Sequence, residues 1–357
     1  MPNPNLSFEL DNALGSGQYR GTRSAETTLQ LSQLIELGGK REARIAAGDA
    51  GYDAARWERA AIRLEVATEA AVAFVNVLSG QRRVQIFNAQ VESIDRLTPL
   101  LQRRVETGAS SPAEISRSQV AADFARADLE RAKTALSIAR RELGALMGLA
   151  TPNFTNVSGD LSRIGRPAPF QTVARAIDSN PQLMRWTAIY AQRNAELLTA
   201  RLKVVPDVQA GVGWRNYRDT GDNAVRLNLS VQLPLWNQNQ GGILEAQETL
   251  AKTEAERSAN KIALMVLLGR AYDALTGSSQ EASLVRNSSV PRSRQALEVI
   301  EAGYAQGRFT LLEVLDAQAA VAQAALREVE ALVTFHTAVA TIEGLSGSPI
   351  TLQGISR

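Results

Sequence analysis

Gly108-Ala109-Ser110-Ser111-Pro112-Ala113-Glu114-Ile115 and Gly307-Arg308-Phe309-Thr310-Leu311-Leu312-Glu313-Val314 lie 199 positions apart and share one pattern. Each is a glycine, a hydroxyl residue three positions on, a glutamate three beyond that, and then an apolar residue. A glycine just past a helix supplies the positive φ that ends it. A Ser or Thr side chain then accepts from the first free N–H groups of the next helix, and a Glu three residues later reaches back to the cap. Both strings read as tight turns between two helices, with Ser111 and Thr310 as caps and Glu114 and Glu313 completing capping boxes.

The same register holds far from the turns. Gln119 falls on Gln318, and Leu143, Leu146 and Gly148 fall on Ile342, Leu345 and Gly347, all at a shift of 199. Leu29-Gln30-Leu31-Ser32 recurs as Leu227-Asn228-Leu229-Ser230 at a shift of 198. One period kept across landmarks this widely spaced means two structural copies.

Each copy opens with two alternating segments. Val208, Ala210, Val212 and Trp214 alternate with Gln209, Gly211, Gly213 and Arg215, and Leu227, Leu229, Val231, Leu233 and Leu235 alternate with Asn228, Ser230 and Gln232. In the first copy Leu6, Phe8 and Leu10, then Leu29 and Leu31, keep the same rhythm. Period two predicts strands with one apolar and one polar face, joined as hairpins by the polar stretches 15–23 and 219–223. Long helical stretches follow over 39–107 and 242–306, each of which would be about 100 Å long if unbroken. Pro99 and Pro291 are expected to kink or interrupt them. Shorter return helices are predicted over 112–147 and 311–346. Heptad seams are read at Leu64, Ala67, Ala71, Phe74 and Leu78 on the first long helix and at Ala125, Leu129, Ala132, Leu136, Ala139, Leu143 and Leu146 on the first return helix. Between the copies, 150–169 reads as an irregular connection and 173–202 as one helix containing Pro181. The resulting division is 1–36, a first hairpin; 37–148, a first helical pair; 149–205, a connecting segment; 206–236, a second hairpin; 237–347, a second helical pair; and 348–357, a tail. The second hairpin is led in by a helix that the first lacks, because Pro4 corresponds to Pro206. This predicts about 35 or more further residues and an export signal upstream of Met1 in the full-length protein.

Composition narrows the function classes. The chain of 357 residues has no Cys, one His, 39 Lys+Arg against 37 Asp+Glu, and only 5% aromatic residues. Thiol catalysis, disulfides and Cys-rich zinc sites are excluded, and near-neutral charge argues against an electrostatic nucleic-acid binder. No run nears the ~18 apolar residues of a membrane-spanning helix, whereas a transmembrane β-barrel, whose strands alternate, stays open.

The whole pattern resembles the TolC-type outer-membrane efflux proteins, and the resemblance covers nearly the entire chain. Glu301-Ala302-Gly303-Tyr304-Ala305-Gln306-Gly307-Arg308-Phe309-Thr310-Leu311-Leu312-Glu313-Val314-Leu315-Asp316-Ala317-Gln318 is similar to the family's turn at the periplasmic tip of the helical tunnel. Ile35-Glu36-Leu37-Gly38-Gly39-Lys40-Arg41 resembles the CzcC-like subgroup serving heavy-metal efflux. The resemblance implies a mainly α fold with β: two repeats of a β-hairpin plus long antiparallel coiled-coil helices, assembled as a homotrimer. Its strands would form a 12-stranded outer-membrane barrel and its helices a periplasmic α-barrel. The sequence supplies a reason for three chains, because four strands cannot close and a lipid-facing open edge leaves backbone groups unpaired. Trp214, Tyr217 and Trp236 lie near strand ends, where an aromatic girdle would sit.

Implied partners are outer-membrane lipid, a periplasmic adaptor docking at the tips (Gly108, Ser111, Glu114, Gly307, Thr310), and an inner-membrane pump of the resistance-nodulation-division type. No nucleic acid and no cofactor are implied. Tyr304, Glu313 and Asp316 match positions of the family's periplasmic aperture, to which Arg308 is added as a neighbour. Glu313 and Asp316, spaced i, i+3, can share a helix face, and three copies would make rings of carboxylates that favour cations. The bland alternative is a pair of solvated tip charges. Where the family has a basic residue two positions after the turn glycine this chain has Phe309, so Arg308 is the candidate substitute. His336 reads as a structural residue; only three copies meeting on an axis would make a multi-His site. With no catalytic constellation, the function read is a passive exit duct, most consistent with heavy-metal cations. A drug or small-organic duct and a type I protein-secretion channel share the architecture. A soluble coiled-coil scaffold is the rival of another class, disfavoured by the apolar stripes of the strands.

Overall fold

The computed structural model describes residues 2–350 and 352–353. The elements are β1 (Asn5–Asp11), β2 (Glu26–Ile35), α1 (Lys40–Asp95), α2 (Thr98–Glu106), α3 (Pro112–Leu146), β3 (Arg166–Pro167), α4 (Phe170–Ala176), α5 (Pro181–Leu202), β4 (Val208–Tyr217), β5 (Asn223–Val231), α6 (Gln240–Leu284), α7 (Val290–Ala305), α8 (Leu311–Ser346) and β6 (Leu352–Gln353). The chain is mainly helical and divides into two compact units, Met1–Glu58 with Met184–Asn260, and Arg59–Leu183 with Lys261–Arg357.

The first unit holds a four-stranded antiparallel sheet in the order β1-β2-β4-β5, so the hairpins of the two copies lie side by side. Directly paired residues share a face, and the register sorts the sheet cleanly. Phe8, Leu29, Trp214 and Val225 form one row and Leu6, Leu31, Val212 and Leu227 another, while Ser7, Gln30, Gly213, Arg226 and Glu9, Thr28, Arg215, Ala224 form rows on the opposite face. The sheet curls toward the polar side: Thr28 is 0% exposed, whereas Leu29 and Leu31 keep 45% and 48% of their surface. That is the reverse of a water-soluble sheet, which buries its apolar face. Gly213 permits the curl, since a Cβ there would come within 3.0 Å of the Leu29 carbonyl oxygen. The fifth strand ends at Val231, short of the run to Leu235 that alternation alone suggests. Pro234 offers no N–H to a ladder, and the Leu235 amide instead donates to the Leu233 carbonyl at 3.0 Å. Tyr217 ends β4, and Trp236 stands fully outside the strands.

The second unit is helical. α1 and α3 meet along Ala73, Val77, Leu136, Ala139 and Leu143, with Val84 and Leu146 beside them, and the seam continues through Val91 and Ile94 against Ala122 and Ala125. The stripe read on α3 is therefore the packed one. On α1 it holds only in part: Phe74 packs on that core and Leu78 is buried, but Ala67 and Ala71 are exposed, and the rest of the contact runs through Ala73 and Val77 instead. An Ala-rich helix presents more than one apolar rhythm, and only the partner selects among them. Gly80 lets the backbones close, because a Cβ would meet the Leu136 side chain at 3.1 Å. A further core joins Leu264, Leu268, Ala271 and Leu275 of α6 to Phe335, Ala338 and Ile342 of α8 and to Val173, Ile177 and Leu183.

The two prolines act differently. Thr98 and Pro99 restart helix after two intervening residues, Arg96 and Leu97, whereas before Pro291 the chain stays helical but makes a five-residue π turn, Val285–Ser289. The predicted single helix over 173–202 is two, α4 and α5. The residue before a proline is pushed out of helical geometry, and Asn180 duly takes φ −62°, ψ 132° ahead of Pro181. Its buried side chain accepts from the Gln182 amide at 2.7 Å and donates to the Leu345 carbonyl at 2.7 Å. No helix among the described residues is long and apolar enough to cross a membrane.

Candidate functional site

The two turns of the repeat meet in one place. α2 ends in Gly108 (φ 72°) and α7 in Gly307 (φ 76°). At each, the glycine amide and the one after it bond back to the last helical turn: Gly108 to Val105 and Ala109 to Arg104, Gly307 to Tyr304 and Arg308 to Gly303, at 2.8–3.0 Å. This is a Schellman termination, which needs the left-handed residue a glycine supplies. Leu97 and Leu101 of the first helical pair pack with Tyr304, Leu311 and Val314 of the second into a shared core.

The two caps, equivalent in sequence, do different work. Thr310 and Glu313 make the full capping box: Thr310 N–H and Oγ1–H donate to Glu313 Oε2 at 2.7 and 2.9 Å, and the Glu313 amide donates to Thr310 Oγ1. The Thr310 N–H first, and then its hydroxyl, hold the Glu313 carboxyl below its ordinary value of 4.5. Ser111 also caps, accepting from the Ala113 amide at 3.3 Å. The box predicted with Glu114 does not form, because the Glu114 carboxylate is engaged elsewhere. It accepts from the Tyr304 hydroxyl at 3.0 Å, across the two hairpins.

Tyr304 is the centre of the site, 1% exposed. Burial first, and then the Glu114 hydrogen bond, raise its pKa above 10.0, so it stays a protonated donor. Arg104, which the sequence reading passed over, completes the link. Its Nη1 donates to the Tyr304 carbonyl at 2.9 Å, its Nε to Ser110 Oγ at 3.0 Å, and its guanidinium lies 4.8 Å from the centre of the Tyr304 ring. The available signal was a basic residue in the last turn of α2, where free carbonyls attract cations. Its equivalent in the second copy is Gly303, on which Phe309 packs so closely that a Cβ would sit 2.3 Å from the ring. Gln318 was also missed as a buried anchor; its Nε2 donates to Ser93 Oγ at 3.0 Å and lies 3.2 Å from Glu301 Oε1.

The remaining predicted residues are outward. Asp316 and Arg308 are exposed, and neither enters an ion pair among the described residues. Glu313 and Asp316 do not form one free carboxylate pair, since Glu313 is folded back on its own cap. A groove of about 330 Å³ between α1, α7 and α8 carries Arg82, Arg96 and Arg294. His336 lies elsewhere; its Nε2 is 2.9 Å from the Leu161 carbonyl, and burial lowers its pKa, so a neutral ring donates there. Among the described residues no group of three or more His, Asp and Glu is placed to hold a metal ion.

Comparison with known proteins agrees with this geometry. The sequence profile of the family described as outer membrane efflux protein matches residues 2–149 and 172–348. The chain is similar to the cobalt-zinc-cadmium resistance protein CzcC of Cupriavidus metallidurans, 29% identical over 97% of this chain and 81% of that protein. It is also similar to the nickel-cobalt-cadmium resistance protein NccC of Alcaligenes xylosoxydans xylosoxydans, 26% identical over 71% of this chain and 57% of that protein. A solved structure of CusC, which forms a transmembrane channel, has the same fold, with a TM-score of 0.82 at 16% identity over 97% of this chain and 82% of that one. A curled sheet with an apolar outer face and helical hairpins tied at their tips are thus found in a chain that belongs to the outer membrane efflux protein family, a channel subunit and not an enzyme.

Proposed function

We propose that three copies close into an exit duct in the outer membrane of a Gram-negative bacterium, conducting heavy-metal cations passively from a periplasmic adaptor and an inner-membrane resistance-nodulation-division pump. The observation that carries the reading is the sheet. Among the described residues its edges, β1 and β5, are unpaired, its apolar rows are exposed, and its polar face is curled inward far enough for Arg226 of β5 to reach Glu9 of β1. In lipid such edges must be paired, and pairing β5 of one copy with β1 of the next satisfies every edge while turning the polar face to a lumen. The metal cargo is supported by the two relatives named for metal resistance.

In this duct the tips are the gated, adaptor-docking end. Gly108, Ser111 and Glu114 with Gly307 and Thr310 shape the docking surface. The Arg104–Tyr304–Glu114 link ties the two hairpins of each copy, while Asp316, Glu313 and Arg308 present charge at the aperture. Mass measurement of the detergent-extracted full-length protein, with fractionation of the cell envelope, tests this. A trimer in the outer membrane whose loss sensitises cells to divalent metals is the expected result. A soluble monomer or dimer would overturn it in favour of a coiled-coil scaffold.

A further inference from the structure

Three carboxylates and two guanidiniums gather on the concave face of the sheet near the hairpin loops. Arg215 on β4 is at their centre. Its Nε donates to Thr28 Oγ1 at 2.8 Å and its Nη1 to Glu26 Oε2 at 2.9 Å, and its Nη2 lies 3.7 Å from Asp11 Oδ2. Glu26 is held in turn by Asn12, whose Nδ2 donates to Oε1 at 2.8 Å. One pairing step further from the loops, Arg226 Nη1 on β5 reaches Glu9 Oε2 on β1 at 3.6 Å, across the two strands between. Side chains of Arg215 and Glu26 are each 21% exposed, so they are half-withdrawn from water yet open to the concavity.

Such pairs return little stability beyond their desolvation cost. Their consequence is the field they set up on a curved polar surface, where charge of one sign concentrates counter-ions. We propose that Arg215 is a specificity-determining residue of the duct's outer mouth: by offsetting one of the two charges of Glu26 and Asp11 it sets how strongly the barrel favours cations over anions. The inference rests on the trimeric duct, in which three such clusters would ring the lumen just inside the loops. Arg215 acts there as a counter-charge to the carboxylates, leaving one carboxylate in excess per copy.

The test is the reversal potential of the full-length protein in planar bilayers under a potassium chloride gradient, recorded for wild type and again with D316N, so that the tip charge does not dominate. R215Q is expected to raise the potassium-over-chloride permeability ratio about twofold or more, because it raises the excess from one carboxylate per copy to two. R215K should keep the wild-type ratio, and E26Q should lower it. If R215Q fails to assemble, E26Q and D11N decide by the same readout. A wild-type channel whose ratio none of these variants moves overturns this proposal alone. A wild-type protein that forms no channel overturns the duct and this proposal with it.

Discussion

Tyr304 and Glu114 stand 190 positions apart and belong to different copies of the repeat, yet one hydrogen bond joins them. A neutral donor to a carboxylate contributes about 1–2 kcal/mol when partly buried, so Y304F is expected to lower stability by that amount and to raise single-channel conductance by loosening the tip. Unfolding curves and bilayer recordings on the same protein check both. Because burial raises the Tyr304 pKa, its contribution is complete below 10.0, the unfolded value, and is lost only as pH rises through the folded value above it. Glu313 has the opposite sign. Its carboxyl is depressed by the Thr310 donors, so its contribution is complete above 4.5 and is lost as pH falls through the lowered folded value. Hydrogen exchange at the amides of residues 310 and 313, corrected for intrinsic rates, should quicken over that acidic range in wild type. In T310A, which costs about 1 kcal/mol of cap, it should be fast throughout; no difference between the two would refute the assignment.

At the scale of elements, the two hairpins are copies whose tips have diverged. Where the first carries Arg104, the second carries Gly303 under the Phe309 ring. G303A should cost about 1–3 kcal/mol by forcing that ring off the helix, and much less in an F309A background, where the space is free. A double-mutant cycle by thermal unfolding measures the coupling, and additivity would mean the ring moves away at no cost. The partly misplaced seam on α1, where Phe74 and Leu78 pack but Ala67 and Ala71 do not, belongs to the same scale. Ala67 and Ala71 step as regularly as Ala73 and Val77, but only the latter face α3. In both copies the proline disturbances were legible because a missing N–H acts locally, although it was not legible that the first would break the helix and the second only widen it to a π turn.

The whole molecule is decided by what surrounds the sheet. Leu227 is 81% exposed on the convex face. Replacing it with Arg should cost about 2–4 kcal/mol of membrane stability if it lies near the bilayer midplane, and should sharply reduce trimer recovered from outer membranes. For a soluble scaffold the same change would be neutral or would improve solubility, so the yield of L227R separates the two classes in one measurement. The tip variants Y304F and E114Q should leave trimer yield unchanged, because their contacts lie within one chain.

The sequence by itself determined the repeat, the hairpins, the helix turns and the family, since each is written in local periodicity, in glycines that need positive φ and in caps within three residues of each other. Gly108, Gly307, Thr310 and Glu313 belong to that class. Only the tertiary structure decided that Glu114 leaves its cap for Tyr304, that Arg104 ties the tips, which stripe of α1 is buried, and that Arg215 sits among Glu26, Asp11 and Thr28. Those choices depend on side chains far apart in the chain competing for the same partner. Distance in space, which no spacing in the sequence encodes, settles which of them wins.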